Sequence, residues 1–336
     1  MTVGQTRVPA TSISSLMVGV MTKDDDTRLT VKHCQSSTIS SSSSSVSGED
    51  DHGIAELQRM IRKAWSENPQ VAGAGAAITS STSGIPHSEE KEPPSANQLL
   101  EKMLGDEAQL ERILIARKYE MEACVSLFFE QFRFRAKWKP QSIQPEDIPN
   151  ALPSGAWRLA GYSKEGHVVS NYKLRYWEPG NLGSKTQSDG KAKDGIDDAV
   201  EEYTKYVVYM IELMIANMKG SPAPQKFVVL FDLKGFTPSL VFRKDVRLMI
   251  RKLIYVAQAQ YPERLHKTLL INAPFGFESA WRLIQPLLDE KTAAKIRFAN
   301  VTSLTEDIDM DVLSKEYGGN HEEYPIPCAQ SIGNGK

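Results

Sequence analysis

The stretch 261–298 constrains the fold most strongly, because helical patterns alternate with short apolar runs along it. A buried strand is predicted over residues 268–272, a helix over 278–288 after a turn that contains Pro and Gly, and a short helix over 290–295. A further strand begins at Ile296. Strands that alternate with helices predict an α/β unit whose sheet is at least partly parallel.

The same alternation extends toward the N-terminus. Residues 157–177 predict a β-hairpin with its turn at Glu165-Gly166, and residues 200–218 predict a helix. A continuous apolar run over 226–233 predicts a buried strand, and 239–260 reads as one long helix. The fold class expected from these patterns is therefore α/β.

The first 95 residues differ from the rest in composition. They are rich in Ser and Gly and bury too little apolar surface to offset chain entropy, so 1–95 are predicted to be a disordered leader. Apolar residues at helical spacing between Ile54 and Trp65 predict one helix inside it. Two interpretations stay open: the helix packs loosely on the domain, or it binds a membrane surface or a partner.

Charge and composition exclude several classes of protein. The formal net charge is −2, so no general attraction to nucleic acid is expected. Cys34, Cys124 and Cys328 are far apart and are expected to be free thiols in a reducing compartment. The chain contains no apolar run near the roughly 20 residues that span a bilayer, and no secretory signal is expected. A cytoplasmic protein is therefore expected.

Motifs of catalysis are missing from the sequence. Gly183-Ser-Lys-Thr lacks the residue order of a phosphate-binding loop, and no strand precedes it. A Gly-x-Ser-x-Gly nucleophile motif is absent, and the six histidines show no metal-ligand spacing. We therefore expect neither enzymatic activity nor a cofactor or metal.

Six segments resemble the CRAL-TRIO lipid-binding family, and within it the secretory phosphatidylinositol-transfer branch. The resemblance runs from about Leu99 to Gly319 and implies a mixed, mostly parallel sheet that floors a lipid pocket walled by helices. The segments are Ala116-Arg117-Lys118-Tyr119, Asp232-Leu233-Lys234-Gly235, Tyr-Pro-Glu-Arg at 261–264, Ile-Asn-Ala-Pro-Phe-Gly-Phe at 271–277, Leu288-Asp289 and 292–296. Residues 313–319 also match the closing helix of the family.

The resemblance also implies a division into domains. Residues 96–150 would form the helical N-terminal subdomain, 151–322 the lipid-binding domain and 323–336 a tail. The implied function is to bind phosphatidylinositol as a ligand and transfer it between membranes, or to present it to lipid kinases. Such a protein is expected to be a monomer that associates transiently with the surface of phospholipid membranes.

A set of charged and hydroxyl side chains matches the headgroup-binding positions of that branch. Arginine and lysine suit phosphate, and a carboxylate can accept hydrogen bonds from inositol hydroxyls. Each side chain alone is also compatible with a solvated surface group or an ion pair, but the six together favour a headgroup site. The implied headgroup residues are Arg117, Lys118, Glu263, Arg264, Thr292 and Lys295.

The implied pocket differs from the family pattern at two positions. Family members that also exchange phosphatidylcholine carry Ser and Thr where this chain has Phe227 and Val229. Polar contacts to a choline phospholipid would be missing there, so phosphatidylinositol is expected to bind and phosphatidylcholine only weakly.

A gating segment is implied over 275–288. A lipid that fills the pocket must leave through a wall that moves, and Phe275, Phe277 and Trp281 are the aromatic residues expected to contact the bilayer. The alternative is that each is an ordinary core aromatic.

Two other functions stay open at this stage. One is a carrier of another hydrophobic ligand, such as a tocopherol, retinoid or sterol-like molecule, although the retained headgroup residues disfavour it. The other is a lipid-regulated scaffold in which the pocket is vestigial and the Ser-rich leader recruits partners.

Overall fold

A five-stranded sheet forms the centre of the molecule, in the order β1-β2-β3-β4-β5. The computed structural model describes residues 47–68, 95–179, 195–220 and 223–325. β1 and β2 are antiparallel, and the other neighbouring pairs are parallel, which confirms the predicted mixed sheet. The strands are β1 (Trp157–Tyr162), β2 (Val168–Lys173), β3 (Phe227–Asp232), β4 (Leu265–Ile271) and β5 (Ile296–Phe298).

Helices pack around this sheet. The helices that precede β1 in the sequence form a separate bundle. In the part of the chain that the structure describes, the helices are α1 (Ser47–Glu67), α2 (Ala96–Leu104), α3 (Glu107–Ala116), α4 (Met121–Trp138), α5 (Gly195–Ala216), α6 (Lys244–Tyr255), α7 (Phe277–Ile284) and α8 (Glu290–Ala294). The parallel strands need crossover connections, which α5, α6 and the pair α7–α8 supply.

The predicted hairpin forms β1 and β2. Its turn lies at Glu165-Gly166, where Gly166 adopts φ 83°, a conformation that glycine reaches without a Cβ penalty. The backbone N–H of Ser163 donates to the carbonyl of His167 at 2.8 Å and closes the turn.

The two faces of the sheet belong to different cores. Phe227 on β3 faces a core that it shares with α5 and α6, and Val229 and Phe231 pack against that core. Val228 and Leu230 face the opposite side, where the segment 301–317 covers them. This alternation follows from the period of two along a strand.

The helical subdomain is larger than predicted, because α1 belongs to it. Leu57 and Ile61 of α1 are completely buried among α2, α3 and α4. The prediction that 1–95 form a disordered leader is therefore wrong for 47–67, and the packing is not loose. The reason is the apolar stripe, which removes the apolar faces of the neighbouring helices from water. Residues 1–46 and 69–94 of the predicted leader lie outside the described residues.

Three predicted helices are shorter than expected. Residues 239–260 divide into a 3₁₀ turn (Pro238–Phe242), α6 and a π-helical turn (Val256–Gln260). Helix 278–288 ends at Ile284, since Pro286 lacks an N–H, and a 3₁₀ turn follows. The expected closing helix over 313–319 is a single 3₁₀ turn, Lys315–Tyr317.

The predicted tail also begins later than expected. Tyr324 is buried, and its hydroxyl donates to the carbonyl of Val312 at 2.6 Å. Residues 323–325 therefore pack on the domain, and 326–336 lie outside the described residues. Among the helices described, none has both the length and the apolar character needed to cross a membrane.

Candidate functional site

The Tyr-Pro-Glu-Arg segment is anchored at Tyr261. The side chain is buried, and its hydroxyl donates to Glu212 Oε1 at 2.6 Å. The guanidinium of Arg135 lies over the ring at 5.8 Å and pairs with the same carboxylate at 3.7 Å. Burial raises the pKa of Tyr261 well above its usual value, and Glu212 adds to this, so the hydroxyl remains a donor. This contact fixes where the following residues leave the π-helical turn.

Glu263 and Lys295 form the centre of the candidate site. The ammonium of Lys295 lies 3.3 Å from Glu263 Oε2, and the two side chains are only 23% and 16% exposed. Glu263 adopts φ 57°, a left-handed conformation that is strained for a residue with a Cβ. Strain of this kind is retained where the surrounding structure enforces it, often at ligand-binding sites.

Thr292 is held by the N-cap of its own helix. Asp289 accepts hydrogen bonds from the backbone N–H of Thr292 at 2.8 Å and from its hydroxyl at 2.7 Å. Gln258, in the π-helical turn, donates to the same carboxylate at 2.6 Å. The capped helix therefore orients Thr292 and Lys295, its C-cap residue, against the Tyr-Pro-Glu-Arg segment. Asp289 and Gln258 were not among the predicted site residues.

Arg117 and Lys118 approach the same region from the helical subdomain. Arg117 is the C-cap of α3, and Lys118 is exposed at φ 51°. Lys291 on α8 donates to the carbonyl of Ile115, two residues before Arg117, at 3.4 Å. This contact joins the end of α3 to the helix that carries Thr292 and Lys295. Glu263, Thr292 and Lys295 thus lie together at α8, and the backbone at the end of α3 contacts the same helix.

Arg264 points away from these residues. It follows Glu263 directly, and its guanidinium donates to the carbonyl of Gln225 at 3.0 Å and contacts Met218 Sδ at 3.6 Å. Burial lowers the pKa of Arg264, although Asp106 and Glu212 act to raise it. The contacts of this side chain therefore lie with the connection before β3, not with Lys295.

A second basic group lies beside Arg264. Burial lowers the pKa of Arg112 on α3 to about 10, and the charges of Arg264 and Arg135 contribute. Three arginines thus share the region around Glu212, where the helical subdomain meets the α/β domain. No sequence motif indicated this grouping, because the three residues lie on separate elements.

The predicted pocket residues share one face of β3. Phe227 is buried and Val229 is partly buried, both toward α5 and α6. In register with Val229 on β2 is Ser170, which is completely buried. Its hydroxyl has no hydrogen-bond partner among the described residues, so it offers a polar group beside Val229.

The three predicted gate aromatics differ in exposure. Phe275 projects fully into solvent, with 106% relative exposure, whereas Phe277 is only 5% exposed. Phe277 packs edge-to-face on Phe236 at 4.9 Å, and Trp281 packs on Phe298 at 5.9 Å. Gly276, at φ 86°, separates the exposed aromatic from the buried one. The alternative of an ordinary core aromatic therefore describes Phe277 but not Phe275.

The Asp232-Leu-Lys-Gly segment has a structural role. The carboxylate of Asp232 is completely buried at the end of β3. It accepts hydrogen bonds from Arg175 at 2.8 Å, Tyr317 at 2.9 Å, Asn272 at 2.8 Å and the backbone N–H of Lys234 at 2.9 Å. This carboxylate joins β3, the residue after β4 and the segment that covers the far face of the sheet.

The α/β fold described above is shared with a protein of known structure. The chain superposes on the crystal structure of Sfh5 with a TM-score of 0.57 and 16% sequence identity, over 86% of this chain and 96% of that one. At this identity the likeness supports the α/β fold alone.

The sequence comparisons then identify the family. Residues 153–319 match the CRAL/TRIO domain, and the chain belongs to the CRAL-TRIO family. This confirms the resemblance described from the sequence.

Three relatives align with 62–76% of this chain. The chain is 27% identical over 282 residues to the SEC14 cytosolic factor of Kluyveromyces lactis, covering 76% of this chain and 85% of that protein. It is 28% identical over 236 residues to the Sec14 cytosolic factor of Schizosaccharomyces pombe, with 64% and 75% covered. It is also 28% identical over 221 residues to the phosphatidylinositol/phosphatidylcholine transfer protein SFH7 of Arabidopsis thaliana, with 62% and 38% covered.

Proposed function

We propose that the protein binds phosphatidylinositol in an apolar pocket and transfers it between membranes, or presents it to lipid kinases, without covalent chemistry. The observation that carries the proposal is the shielded pair of Glu263 and Lys295, held by strained backbone beside the end of α3. The relation to proteins named as phosphatidylinositol/phosphatidylcholine transfer proteins supports it.

The headgroup decides which lipid is bound. A phospholipid carries about thirty acyl methylenes, each worth about 0.8 kcal/mol on leaving water, or about 25 kcal/mol in all. A bilayer provides much the same free energy, so burial of the acyl chains does not distinguish one lipid from another. Hydrogen bonds to charged groups contribute about 1.5–3 kcal/mol each and act on the headgroup.

The residues divide into binding and positioning roles. Lys295 pairs with the inositol phosphate, and Glu263 accepts hydrogen bonds from the inositol hydroxyls when the lipid separates the two side chains. Arg117 and Lys118 add positive charge from the facing helix end. Thr292 contributes its hydroxyl from the same helix as Lys295. Arg264 has a positioning role, because its guanidinium bonds the connection before β3.

Selectivity against phosphatidylcholine follows from Phe227 and Val229. Both side chains face the apolar side of the sheet, and neither can hydrogen-bond a choline phospholipid. The buried hydroxyl of Ser170, opposite Val229, is the polar group that this chain offers there instead. We therefore propose that phosphatidylinositol is strongly preferred.

Contact with membranes is proposed through exposed aromatics. Phe275 precedes α7, and α7 packs against the turn Pro238–Phe242, whose Phe242 is 54% exposed. Aromatic side chains at the surface insert readily into the membrane interface. The association would be peripheral and transient, and the protein would act as a cytoplasmic monomer.

The experiment that tests the function is vesicle-to-vesicle transfer of phosphatidylinositol by the Lys295→Ala variant. Loss of the charge-assisted bonds of Lys295 should lower the transfer rate about 10- to 150-fold, since those bonds contribute about 1.5–3 kcal/mol. Lys205→Ala is the matched control, because Lys205 pairs with Glu201 on the surface of α5. Unchanged transfer by Lys295→Ala, with both variants folded, would refute the assignment.

A further inference from the structure

A cluster of three potential metal ligands lies away from the headgroup residues. Glu165, His167 and His266 each offer one ligand atom, and the three atoms lie within 4.8 Å of one another. Glu165 Oε2 is 3.3 Å from His167 Nε2 and 3.2 Å from His266 Nε2. The two imidazole rings stack with their centroids 3.9 Å apart. Both rings therefore direct Nε2 toward the same carboxylate oxygen.

The backbone brings these residues together by two local devices. Glu165 occupies the β1–β2 turn, and His167 immediately precedes β2. In β4, the register shifts between Leu265 and Lys267, so His266 has no partner on β3. A β-bulge of this kind redirects a side chain. The expectation of no metal rested on sequence spacing, which cannot detect ligands that lie on different strands.

The two distances from Glu165 Oε2 to the imidazole nitrogens suit a tetrahedral ion. Zinc binds imidazole nitrogen and carboxylate oxygen at about 2.0–2.1 Å, which places neighbouring ligand atoms about 3.3 Å apart. We infer that Glu165, His167 and His266 form a binding site for Zn²⁺. The Glu165 side chain is 66% exposed, so solvent reaches the cluster and can supply the fourth ligand. Nitrogen ligands favour zinc over magnesium and calcium, which prefer oxygen.

Several charged groups surround His266. Burial lowers the pKa of His266, the neighbouring His167 lowers it further, and Glu165 acts to raise it. Lys267 and Lys226 also lower it, although Lys267 is paired with Asp307 at 2.5 Å. Nδ1 of His167 is buried and has no hydrogen-bond partner among the described residues.

The competing interpretation is a hydrogen-bonded group without metal, in which both rings donate to Glu165. The two interpretations differ in what they predict on metal addition. A bound ion would join the β1–β2 turn to the start of β4 and stabilise the folded state by mass action. If the three side chains only hydrogen-bond to one another, added metal would leave the stability of the folded state unchanged. The inference does not depend on the proposed lipid function, since none of the three residues is a predicted lipid contact.

The test is isothermal titration of the full chain, purified without a histidine tag and stripped with a chelator, with ZnCl₂. We expect one strong site per chain and a rise in the unfolding temperature. Loss of second-shell partners already costs 10- to 100-fold in affinity, so His266→Gln and Glu165→Gln should each weaken binding by at least about 100-fold. Replacement of zinc by Co²⁺ should give the absorption of tetrahedral cobalt.

The chain offers a matched control for the cluster variants. His52→Gln changes an exposed histidine of α1 and should bind zinc like the unmodified chain. Glu165→Gln alters an exposed turn residue, so it tests the site without disturbing the core. The inference is overturned if the unmodified chain binds no zinc, or if both cluster variants retain its affinity. The inference would also be overturned if His52→Gln lost zinc binding to the same degree as the cluster variants.

Discussion

At the scale of single residues, the buried carboxylate of Asp232 shows most clearly how a residue of the family motif supports the fold. Its hydrogen bonds come from the turn after β3, from the residue after β4 and from the 3₁₀ turn that ends with Tyr317. Arg175 provides the opposite charge at 2.8 Å. Removal of one partner from a buried ion pair leaves the other charge uncompensated.

Replacement Asp232→Ala should therefore lower the free energy of unfolding by about 3–5 kcal/mol. Urea unfolding measures this change. The control is Glu67→Ala, because Glu67 pairs with Lys63 at the surface and should alter stability by less than about 1 kcal/mol. Equal stability of the two variants would show that Asp232 does not organise the strand end.

Side-chain direction is the part of the candidate site that sequence could not provide. The motif named Glu263 and Arg264 together, yet the two neighbours point to different surroundings. Gln258 and Asp289 support Thr292 from elements that only the fold brings together. Residue types at the site were predictable from the resemblance, whereas their contacts depend on backbone conformation, such as φ 57° at Glu263.

At the scale of elements, a solvent-exposed aromatic, Phe275, lies two residues before the buried Phe277 that begins α7. Phe275→Ala should leave stability unchanged and weaken binding to phospholipid vesicles about 10- to 150-fold, because insertion of the ring is worth about 1.5–3 kcal/mol. Vesicle flotation measures the binding.

The matched variant is Phe277→Ala. Since Phe277 is buried against Phe236 and Phe298, its loss should lower the free energy of unfolding by about 3–5 kcal/mol. Urea unfolding distinguishes the two effects. If Phe275→Ala binds vesicles as the unmodified chain does, α7 is not the membrane-contacting element.

Helices and strands were predicted well where the hydrophobic periodicity was strong. Their first and last residues were predicted less well. Every strand of the sheet overlaps a predicted strand or hairpin, although β4 begins before the predicted 268–272. The continuous apolar run of β3 is typical of a buried parallel strand. The helix α1 was placed correctly but assigned to a disordered leader. Its burial depends on Leu57 and Ile61 filling a groove formed by elements distant in the sequence. Local composition does not report such tertiary contacts.

At the scale of the whole molecule, the two faces of the sheet pack against different segments. One face packs against the segment 301–317 and supports the fold. The other face, with Phe227 and Val229, turns toward α5 and α6, where the family resemblance implies the lipid. Glu263 pairs with Lys295 at the end of α8, and Lys291 of α8 contacts the end of α3. The two faces of the same strands thus pack against different elements.

The identity of the lipid that co-purifies with the full chain tests the central claim most directly. Native mass spectrometry of the protein, followed by analysis of the released ligand, should show one phosphatidylinositol per chain and little phosphatidylcholine. Equal amounts of the two lipids would contradict the selectivity assigned to Phe227 and Val229. A tocopherol, retinoid or sterol-like ligand, or no ligand at all, would contradict phosphatidylinositol binding itself.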